Sequence, residues 1–472
     1  MAQPYKPLKV PRHELPCLDP KERIKNFDEV ALGFSEDDAV AEAQRCLRCK
    51  NSPCAKGCPV EIDIKAFLEK VAERQFKDAL EIIKEKNNLP GVTGRVCPQE
   101  SQCECECTLG KAKGGQPLAI GAVERFVADW CMKNGIQLAV KMEPKNGIKA
   151  GVIGAGPAGL TAAGDLARAG FDVTVFEAFQ EAGGVLLFGI PEFRMPKSIL
   201  KVEVEYLKSL GVKFALDQVV GKSIYVEELF DKHHGFKTLF MGTGAGLPIF
   251  LKIPGENLQD VYSANEFLTR VNLMKAFKFP EYDTPIKIGS TVLVVGGGNV
   301  ALDAARTALR LGAKQVSLVY RRTMKEMPAR QAEVDHAQEE GVIFKILRAP
   351  VEIIGDAKKN VTAMKFQEMT LGCLDASGRA SCVPIEGAYE TIPCSTVIIA
   401  IGNETNTICS SSTCGLEVDK KGHVKVNPET QETTIDGLFA GGDAVTGAAT
   451  VISAMGAAKK AARSMAAYAL KK

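Results

Sequence analysis

The sequence has little that would place the chain in a membrane or on a nucleic acid. No uncharged apolar run reaches the roughly 18 residues of a transmembrane helix, and the N-terminal segment lacks the apolar core of a secretory signal. The formal net charge is only +2, with 59 Lys and Arg against 57 Asp and Glu, which argues against a broad basic surface. We therefore expect a cytoplasmic protein that binds neither membranes nor nucleic acids.

Glycine and cysteine are abundant instead. The chain has 472 residues, with 44 glycines and 15 cysteines. That length is enough for about three domains. Eight of the 15 cysteines lie between Cys46 and Cys107. Without a secretory signal such crowding does not indicate a disulfide framework, because cytosolic thiols stay reduced. It indicates a metal site.

The crowded cysteines form two groups with short spacings. Iron–sulfur clusters need several thiolates on a tightly turning backbone, and a proline after the last cysteine of a run is typical of ferredoxin-type chains. One x4 gap departs from the strict ferredoxin spacing, so a ferredoxin domain is not expected. Zinc is the alternative, but zinc sites usually show two C-x2-C pairs and this sequence has one. The two groups read Cys46-x2-Cys49-x4-Cys54-x3-Cys58-Pro59 and Cys97-Pro98-x4-Cys103-x3-Cys107.

Seven of these cysteines leave one of eight cluster positions without a ligand. Cys105 is a candidate for it. However, Cys105 lies two residues from Cys103 and two from Cys107. Thiols at that spacing seldom reach one cluster together, so the eighth ligand stays open on the spacing alone.

The stretch around Gly154 has the pattern of a dinucleotide-binding βαβ unit. Gly154, Gly156 and Gly159 follow an apolar strand and open a helix. The first glycine makes a tight turn, the second admits a pyrophosphate and the third allows the helix to pack closely. Glu177 closes the next strand, where an acidic side chain can bind an adenosine ribose hydroxyl. We interpret this unit as the first dinucleotide site.

The same signature recurs at Gly296, Gly298 and Ala301, with a different charge at the end of the next strand. That strand ends in Arg321 and Arg322, without an acid. Guanidinium groups bind a 2′-phosphate through charge-assisted, bidentate hydrogen bonds. The second site is therefore predicted to prefer NADP(H) over NAD(H). The alternative is that both arginines belong to a solvated turn.

A third glycine segment lies near the C-terminus. Gly442 and Asp443 follow a short strand, and a glycine- and alanine-rich helix comes next. The acid can bond the ribitol or phosphate side of a flavin, and the helix N-terminus can face the flavin ring. The predicted cofactor-binding residues are Gly154, Gly156, Ala158, Gly159, Glu177, Gly184, Gly296, Gly298, Asn299, Ala301, Arg321, Arg322, Gly442, Asp443, Ala449 and Thr450.

The order of these motifs resembles that of a known family over nearly the whole chain. It is similar to the large subunit of NADH-dependent reduced ferredoxin:NADP oxidoreductase, to the sulfide dehydrogenase α-subunit and to the small subunit of glutamate synthase. The stretches that carry the resemblance are ERIKNFDEVALGFSEDDAVAEAQRCLRCKNSPCAKGCPVEIDI, TGRVCPQESQC, IGAVERFVADW, GGVLLFGIPEFRMPK and GDAVTGAATVISAMGAAKKAA.

The resemblance implies FAD, NADP(H) and a helical N-terminal domain with two [4Fe–4S] clusters. One cluster would be held by Cys46, Cys49, Cys54 and Cys107. The other would be held by Cys58, Cys97 and Cys103, with the carboxylate of Glu124 as the non-cysteine ligand that completes it. A carboxylate is a harder ligand than a thiolate and should alter the cluster's reduction potential. The alternative for Glu124 is a surface carboxylate that pairs with Arg125 or a lysine.

The predicted fold class is α/β, with two Rossmann-like dinucleotide-binding domains of a disulfide-reductase-like flavoprotein after an α-helical iron–sulfur domain. We place the iron–sulfur domain at residues 1–147 and the first part of the FAD-binding domain at 148–288. The NADP(H)-binding domain is placed at 289–400 and the second part of the FAD-binding domain at 401–472. Residues 137–149 are expected to be a linker.

Three functions fit this organisation. The favoured one is the FAD and iron–sulfur subunit of an electron-bifurcating NADH/ferredoxin:NADP transhydrogenase, with a smaller NAD(H)-binding flavoprotein and ferredoxin as partners. The second is the NADPH-oxidising small subunit that feeds a separate glutamate synthase large subunit. The third is a non-catalytic electron-wiring subunit of a larger complex. All three predict a hetero-oligomer.

Overall fold

The computed structural model describes residues 5–136, 138, 141–374, 378 and 380–471, so residues 137, 139 and 140 of the expected linker lie outside the described residues. The predicted class, α/β with a helical region first, is confirmed. Within the described part of the chain, no helix has both the length and the apolar character needed to span a bilayer. The helices of the N-terminal region are α1 (Pro20–Arg23), α2 (Glu36–Gln44), α3 (Pro53–Lys56), α4 (Ile64–Ala72), α5 (Phe76–Lys86), α6 (Pro90–Val96), α7 (Thr108–Lys111) and α8 (Ile120–Lys133).

The helical region folds around an apolar stripe. In α4, the apolar residues recur three and four positions apart and are buried, with Phe67 fully so. The helix begins where the Oδ1 of Asp63 accepts a hydrogen bond from the backbone N–H of Ala66 at 3.1 Å. Ile83 of α5 and Val123 of α8 are also fully buried in this core. The cysteines lie in the loops and short helices around it.

The rest of the chain alternates strands and helices. The first Rossmann segment contains β1 (Lys149–Ile153), α9 (Pro157–Arg168), β2 (Asp172–Phe176), α10 (Val185–Phe188), α11 (Lys197–Ser209), β3 (Lys213–Ala215), α12 (Val226–Phe230) and β4 (Thr238–Met241). The middle segment contains β5 (Leu247–Pro248), β6 (Val261–Ser263), α13 (Ala264–Asn272), β7 (Thr291–Val295), α14 (Asn299–Arg310), β8 (Gln315–Tyr320), α15 (Gln331–Glu339), β9 (Ile343–Ile346), β10 (Arg348–Gly355), β11 (Val361–Leu374), β12 (Ala380–Pro393), β13 (Thr396–Ile399) and β14 (Asn403–Glu404). The last segment contains α16 (Ile408–Ser412), β15 (Leu438–Ala440), α17 (Asp443–Thr446) and α18 (Val451–Lys471).

Two parallel sheets form the centres of the two Rossmann domains. The first has the order β15-β4-β1-β2-β3, so a C-terminal strand returns to complete the sheet that begins at residue 149. The second has the order β6-β13-β7-β8-β9, and an antiparallel sheet, β10-β11-β12, is attached to it. Because β6 pairs with β13, the second sheet draws on residues upstream of the expected boundary at 289. The exact domain boundaries stay a prediction.

A buried group of charges joins the N-terminal arm to the second Rossmann domain. The carboxylate of Glu340 accepts hydrogen bonds from Arg23 at 2.7 Å, Arg306 at 2.8 Å and Arg310 at 2.7 Å. All four side chains are at most 1% exposed. Burial alone would raise the pKa of Glu340, but the hydrogen bonds from Arg310 and Arg306 lower it to about 2.

A second buried ion pair joins the two Rossmann domains. Arg194 lies in the GIPEFRMPK stretch of the first domain, and its guanidinium donates to both carboxylate oxygens of Asp303 in α14, at 2.8 and 2.7 Å. Phe193, next to it, lies under the guanidinium of Arg310 at 3.9 Å. The resemblance stretch thus holds α14, which follows the second glycine turn, against the first domain.

We expect Glu340→Gln to lower the free energy of unfolding at pH 7 by about 3–5 kcal/mol, because it leaves buried guanidinium groups without their anion. The stabilisation from this lowered pKa is present above the ordinary glutamate value of about 4.3 and is lost as the pH falls towards 2. The acid-induced loss of stability should therefore be smaller in the variant. Urea unfolding at pH 7 and at about pH 3, inside this window, tests both effects. Glu22→Gln, which removes an exposed partner of Lys25, should change stability by no more than about 0.5 kcal/mol; equal stability of the two variants would contradict the prediction.

Candidate functional site

Four of the predicted ligands surround one cavity in the helical domain. Its lining consists mainly of apolar side chains, including Leu68, together with Cys46, Cys49, Cys54 and Cys107. The cysteines come from the loop after α2, from α3 and from the residue before α7. Sequence positions more than 50 residues apart are thus brought around one point, as the resemblance implies for a single cluster.

The backbone around this cavity turns sharply and directs N–H groups at sulfur. Arg48 and Ser52 both have left-handed conformations, with φ of 51° and 38°. The N–H of Arg48 lies 3.4 Å from the Sγ of Cys46, and the N–H of Leu118 lies 3.5 Å from the Sγ of Cys107. Hydrogen bonds to the sulfur atoms are one of the ways in which a protein sets the potential of an iron–sulfur cluster.

Burial raises the pKa of two thiols of this cavity, Cys46 and Cys54. Burial, followed by the neighbouring Cys46 and Cys107, raises the pKa of Cys54 to about 12. Iron ions bind thiolates and displace their protons, so a metal compensates for this burial. The lining therefore fits a cluster held by four thiolates.

The other predicted ligands form a second, deeper group. Burial raises the pKa of Cys97, and the charges of Glu124 and Cys103 raise it further. After burial, Glu124 also contributes to the raised pKa of Cys58 and of Cys103. Electrostatic interactions of this kind indicate that Glu124 lies near each of the three thiols. The group has the composition that the resemblance implies for the second cluster.

Glu124 is a buried carboxylate, and the alternative of a surface ion pair with Arg125 is wrong. Glu124 is only 7% exposed, and the Nη2 of Arg125 instead lies 2.9 Å from the Oε1 of Glu29. Thr93 and Asn87 donate hydrogen bonds to the Oε1 of Glu124 at 2.7 and 2.8 Å. Burial raises its pKa to about 7 despite these donors. Both described hydrogen bonds go to Oε1, which leaves Oε2 as the oxygen available for a ligand role.

Cys105 takes no part in either group. It is exposed, whereas Cys103 and Cys107 are partly buried on either side of it. In the part of the chain that the structure describes, no three His, Cys, Asp or Glu side chains are arranged to hold a single metal ion.

The first glycine turn has the close contacts that the motif predicts. Gly154 has φ of 98°, and a Cβ there would lie 2.5 Å from the carbonyl oxygen of Gly242. A Cβ on Gly159 would lie 1.8 Å from the carbonyl oxygen of Gly154. Gly156 is the last residue before α9, and Ala158 lies in the first turn of that helix. The helix N-terminus therefore faces the space where a pyrophosphate would bind.

Glu177 supports this turn from the end of β2. Its Oε2 accepts the N–H of Ala155 at 2.7 Å, and its Oε1 accepts the N–H of Phe179 at 3.0 Å. Burial raises the pKa of Glu177. Gly184 comes close from the other side, since a Cβ on it would lie 2.7 Å from the Cα of Gly156. The structure thus brings all the predicted residues of this first part together.

The C-terminal glycine segment meets the same turn. Gly442 has φ of 68°, and a Cβ there would lie 3.0 Å from the Cβ of Ala158. The Oδ1 of Asp443 accepts the N–H of Ala449 at 3.2 Å, and burial raises the pKa of Asp443 to about 6. Thr450 accepts the N–H of Ser453 at 3.2 Å and so caps the start of α18. Both halves of the predicted FAD site therefore lie at one edge of the first sheet.

The second glycine turn is equally tight. Gly296 has φ of 150°, and a Cβ there would lie 2.2 Å from the carbonyl oxygen of Ala400. Gly298 precedes α14, Asn299 is its first residue, and Ala301 is fully buried in its first turn. This helix N-terminus is available to a second pyrophosphate.

The structure separates the predicted arginine pair. Arg321 is exposed after β8, whereas Arg322 is 7% exposed and its Nε donates to the carbonyl oxygen of Ala380 at 2.7 Å. Because Arg322 binds the backbone of β12, its guanidinium is less available to a 2′-phosphate. Of the two, Arg321 is the one that we expect to contact NADP(H).

Sequence reasoning missed a contact between the iron–sulfur and flavin regions. Pro59 directly follows Cys58, and a Cβ on Gly456 of α18 would lie 2.6 Å from the carbonyl oxygen of Pro59. The only signal in the sequence was a glycine within an otherwise regular helix, which often marks a close approach. Through this contact the loop after Cys58 packs on α18.

Two family models match the chain over adjoining stretches. Residues 23–136 match the dihydropyrimidine dehydrogenase domain II, 4Fe-4S cluster, and residues 149–462 match the pyridine nucleotide-disulphide oxidoreductase family. The glutamate synthase [NADPH] small chain of Halomonas elongata is 36% identical over 92% of this chain and 91% of its own length.

The chain belongs to the glutamate synthase small-chain family of pyridine nucleotide-disulphide oxidoreductases.

Other relatives are longer than this chain. The NADP(+)-dependent formate dehydrogenase subunit beta of Moorella thermoacetica is 38% identical over 88% of this chain, which spans only 60% of that protein. Among solved structures, FprA of Mycobacterium tuberculosis in complex with NADPH is 20% identical with a TM-score of 0.55, over 68% of this chain and 84% of that one. Such distant structures support the fold alone. The suspected family is confirmed, and the protein is an NADP(H)-dependent flavin and iron–sulfur oxidoreductase.

We expect Gly159→Ala to weaken FAD binding at least about tenfold, because its Cβ cannot lie 1.8 Å from a carbonyl oxygen unless the turn opens. The ratio of flavin absorbance to protein in the purified variant measures this. Gly246→Ala is the matched control, since a Cβ there meets no atom within 4 Å. A Gly159→Ala protein with a full flavin complement would contradict the assignment.

We expect Arg321→Ala to raise the Kd for NADPH about tenfold more than the Kd for NADH, because only NADPH carries the 2′-phosphate. Titration of both nucleotides into the oxidised or reduced protein measures the difference. Lys314→Ala, an exposed cation at the opposite end of β8, should affect neither nucleotide. An equal rise in the Kd for the two nucleotides would contradict the assignment of Arg321 to the 2′-phosphate.

Proposed function

We propose that this chain is the NADP(H)-binding subunit of a hetero-oligomeric enzyme and carries two [4Fe–4S] clusters next to FAD. The observation that carries the proposal is that Cys46, Cys49, Cys54 and Cys107 line one cavity. The contact between Pro59 and Gly456 supports it further, because Pro59 follows Cys58, a proposed ligand of the second cluster, and packs on α18 of the first Rossmann domain.

The proposed ligands form two sets, one for each cluster. The cavity of the four cysteines holds the first cluster. Cys58, Cys97 and Cys103 hold the second, and Glu124 supplies the fourth ligand through Oε2. Thr93 and Asn87 orient this carboxylate by binding its other oxygen.

The two Rossmann domains hold the dinucleotides. When bound, the flavin supplies the exchange between the two-electron chemistry of nicotinamide and the one-electron chemistry of the clusters. The chain binds and orients these groups. The proposed FAD ligands are Gly154, Gly156, Ala158, Gly159, Glu177, Gly184, Gly442, Asp443, Ala449 and Thr450, and the proposed NADP(H) ligands are Gly296, Gly298, Asn299, Ala301 and Arg321.

The partner that best fits the comparisons is a glutamate synthase large subunit. Glutamate synthase [NADPH] small chains from three bacteria are 34–36% identical to this chain and span nearly all of it. A second candidate is the electron-bifurcating transhydrogenase, with a smaller NAD(H)-binding flavoprotein and ferredoxin. It is favoured by the stretches RIKNFDEVALGF and CPVEIDI, which resemble that enzyme more closely.

Anaerobic purification of the native complex tests the partner. Recovery of a large, amidotransferase-bearing subunit, with NADPH-dependent formation of glutamate, is the expected result. Recovery of a small NAD(H)-binding flavoprotein instead would replace the first candidate with the second.

We expect Glu124→Ala to change the EPR signal of one cluster and to leave the signal of the other unchanged, because the two groups use separate ligands. Glu85→Ala, an exposed carboxylate one helix away, is the control and should leave both signals unchanged. The measurement is made on anaerobic, dithionite-reduced protein. If Glu124→Ala gives the wild-type spectrum and iron content, the carboxylate is not a ligand.

A further inference from the structure

A short segment after β8 lies on the second glycine turn. We call residues 326–330, with the sequence EMPAR, the EMPAR segment. The hydroxyl of Tyr320 donates to the carbonyl oxygen of Glu326 at 2.9 Å, and the Cγ of Pro328 lies 4.0 Å from the position of a Cβ on Gly298. The N–H of Arg330 donates to the Oδ1 of Asn299 at 3.0 Å. Since Asn299 is the first residue of α14, the segment is attached where the pyrophosphate of a nucleotide would bind.

The side chain of Arg330 reaches from this segment into the iron–sulfur domain. Its Nη1 donates to the carbonyl oxygen of Arg95 at 3.2 Å, and its Nη2 donates to the Oε1 of Gln99 at 2.8 Å. Its Nε lies 3.0 Å from a carboxylate oxygen of Glu100. Cys97 lies between Arg95 and Gln99 in the chain, so Arg330 binds both sides of the loop that carries a proposed cluster ligand.

The guanidinium also acts on Cys97 through its charge. It is bound to the backbone of Arg95 and to the side chain of Gln99, on either side of Cys97, so its charge lies beside the proposed ligand. The Arg330 side chain is only 15% exposed, so solvent screens this charge weakly. Among the groups that face Cys97, Glu124 and the thiols of Cys58 and Cys103 are acidic.

We propose that Arg330 is a positioning residue that raises the reduction potential of the cluster held by Cys58, Cys97, Cys103 and Glu124 and ties that potential to occupancy of the NADP(H) turn. The inference rests on the function proposed above. Reduction adds one negative charge to a buried site with four anionic ligands, and a cation held beside it favours the reduced form. Because the N–H of Arg330 is bound to Asn299, a nucleotide that moves Asn299 also moves Arg330. This couples the NADP(H) turn to the cluster.

A redox titration of the anaerobic holoprotein, followed by EPR, tests whether the charge of Arg330 raises the reduction potential of this cluster. The relevant signal is the one that Glu124→Ala alters. Arg330→Gln should lower the ratio of reduced to oxidised cluster at a fixed potential about tenfold, which is about 59 mV for a one-electron couple. Glu100→Gln should shift the ratio in the opposite direction, because it leaves Arg330 without its exposed carboxylate.

The controls separate this effect from a general loss of charge or structure. Arg270→Gln removes an arginine that pairs with Glu266 in α13 and should leave the potential unchanged. The signal of the four-cysteine cluster should also stay unchanged in all three variants. Adding NADP+ should shift the potential in the wild type and leave it unchanged in Arg330→Gln.

An unchanged potential in Arg330→Gln with full iron content would overturn the inference and leave the proposed function intact. If that variant does not assemble its clusters, Glu100→Gln decides, and a lowered or unchanged potential there would also overturn the inference. Wild-type protein without iron–sulfur signals would instead contradict the proposed function itself.

Discussion

Acidic side chains proposed as cluster ligands are buried in the helical domain, and their charge must be balanced there. Cys97 and Glu124 are each 7% exposed, and burial raises the pKa of both. A buried thiolate or carboxylate is costly unless it is protonated or paired with a cation. Iron ions provide that cation, so the clusters in the proposed function compensate the charge of the ligands that hold them. The N–H groups directed at the sulfur atoms of Cys46 and Cys107 also offset thiolate charge.

The helical domain also contacts both Rossmann domains. Its loop at Pro59 packs on α18 of the first Rossmann domain, and its loop at Gln99 is bound by Arg330 of the second. The N-terminal arm adds the buried ion pair between Arg23 and Glu340. The group of Cys58, Cys97, Cys103 and Glu124 is therefore flanked by contacts to both Rossmann domains.

Features set by neighbours in the chain could be predicted from the sequence, and features set by distant contacts could not. The turn at Gly154 follows from a strand, three glycines and a helix in succession, so the motif alone predicts it. The separate roles of Arg321 and Arg322 depend on a carbonyl group at residue 380. Likewise β6 has only three residues, too few for a hydrophobic period, and is defined by its pairing with β13. The spacing of the cysteines is visible in the sequence. The buried hydrogen bonds from Asn87 and Thr93 to Glu124 are not, because they join residues from distant parts of the chain.

The content of iron and acid-labile sulfide in anaerobically purified protein, measured against bound FAD, tests the central claim most directly. The account predicts about eight iron and eight sulfide ions per FAD, the content of two [4Fe–4S] clusters. Protein that contains zinc without sulfide, or that holds FAD but is free of iron, would contradict it.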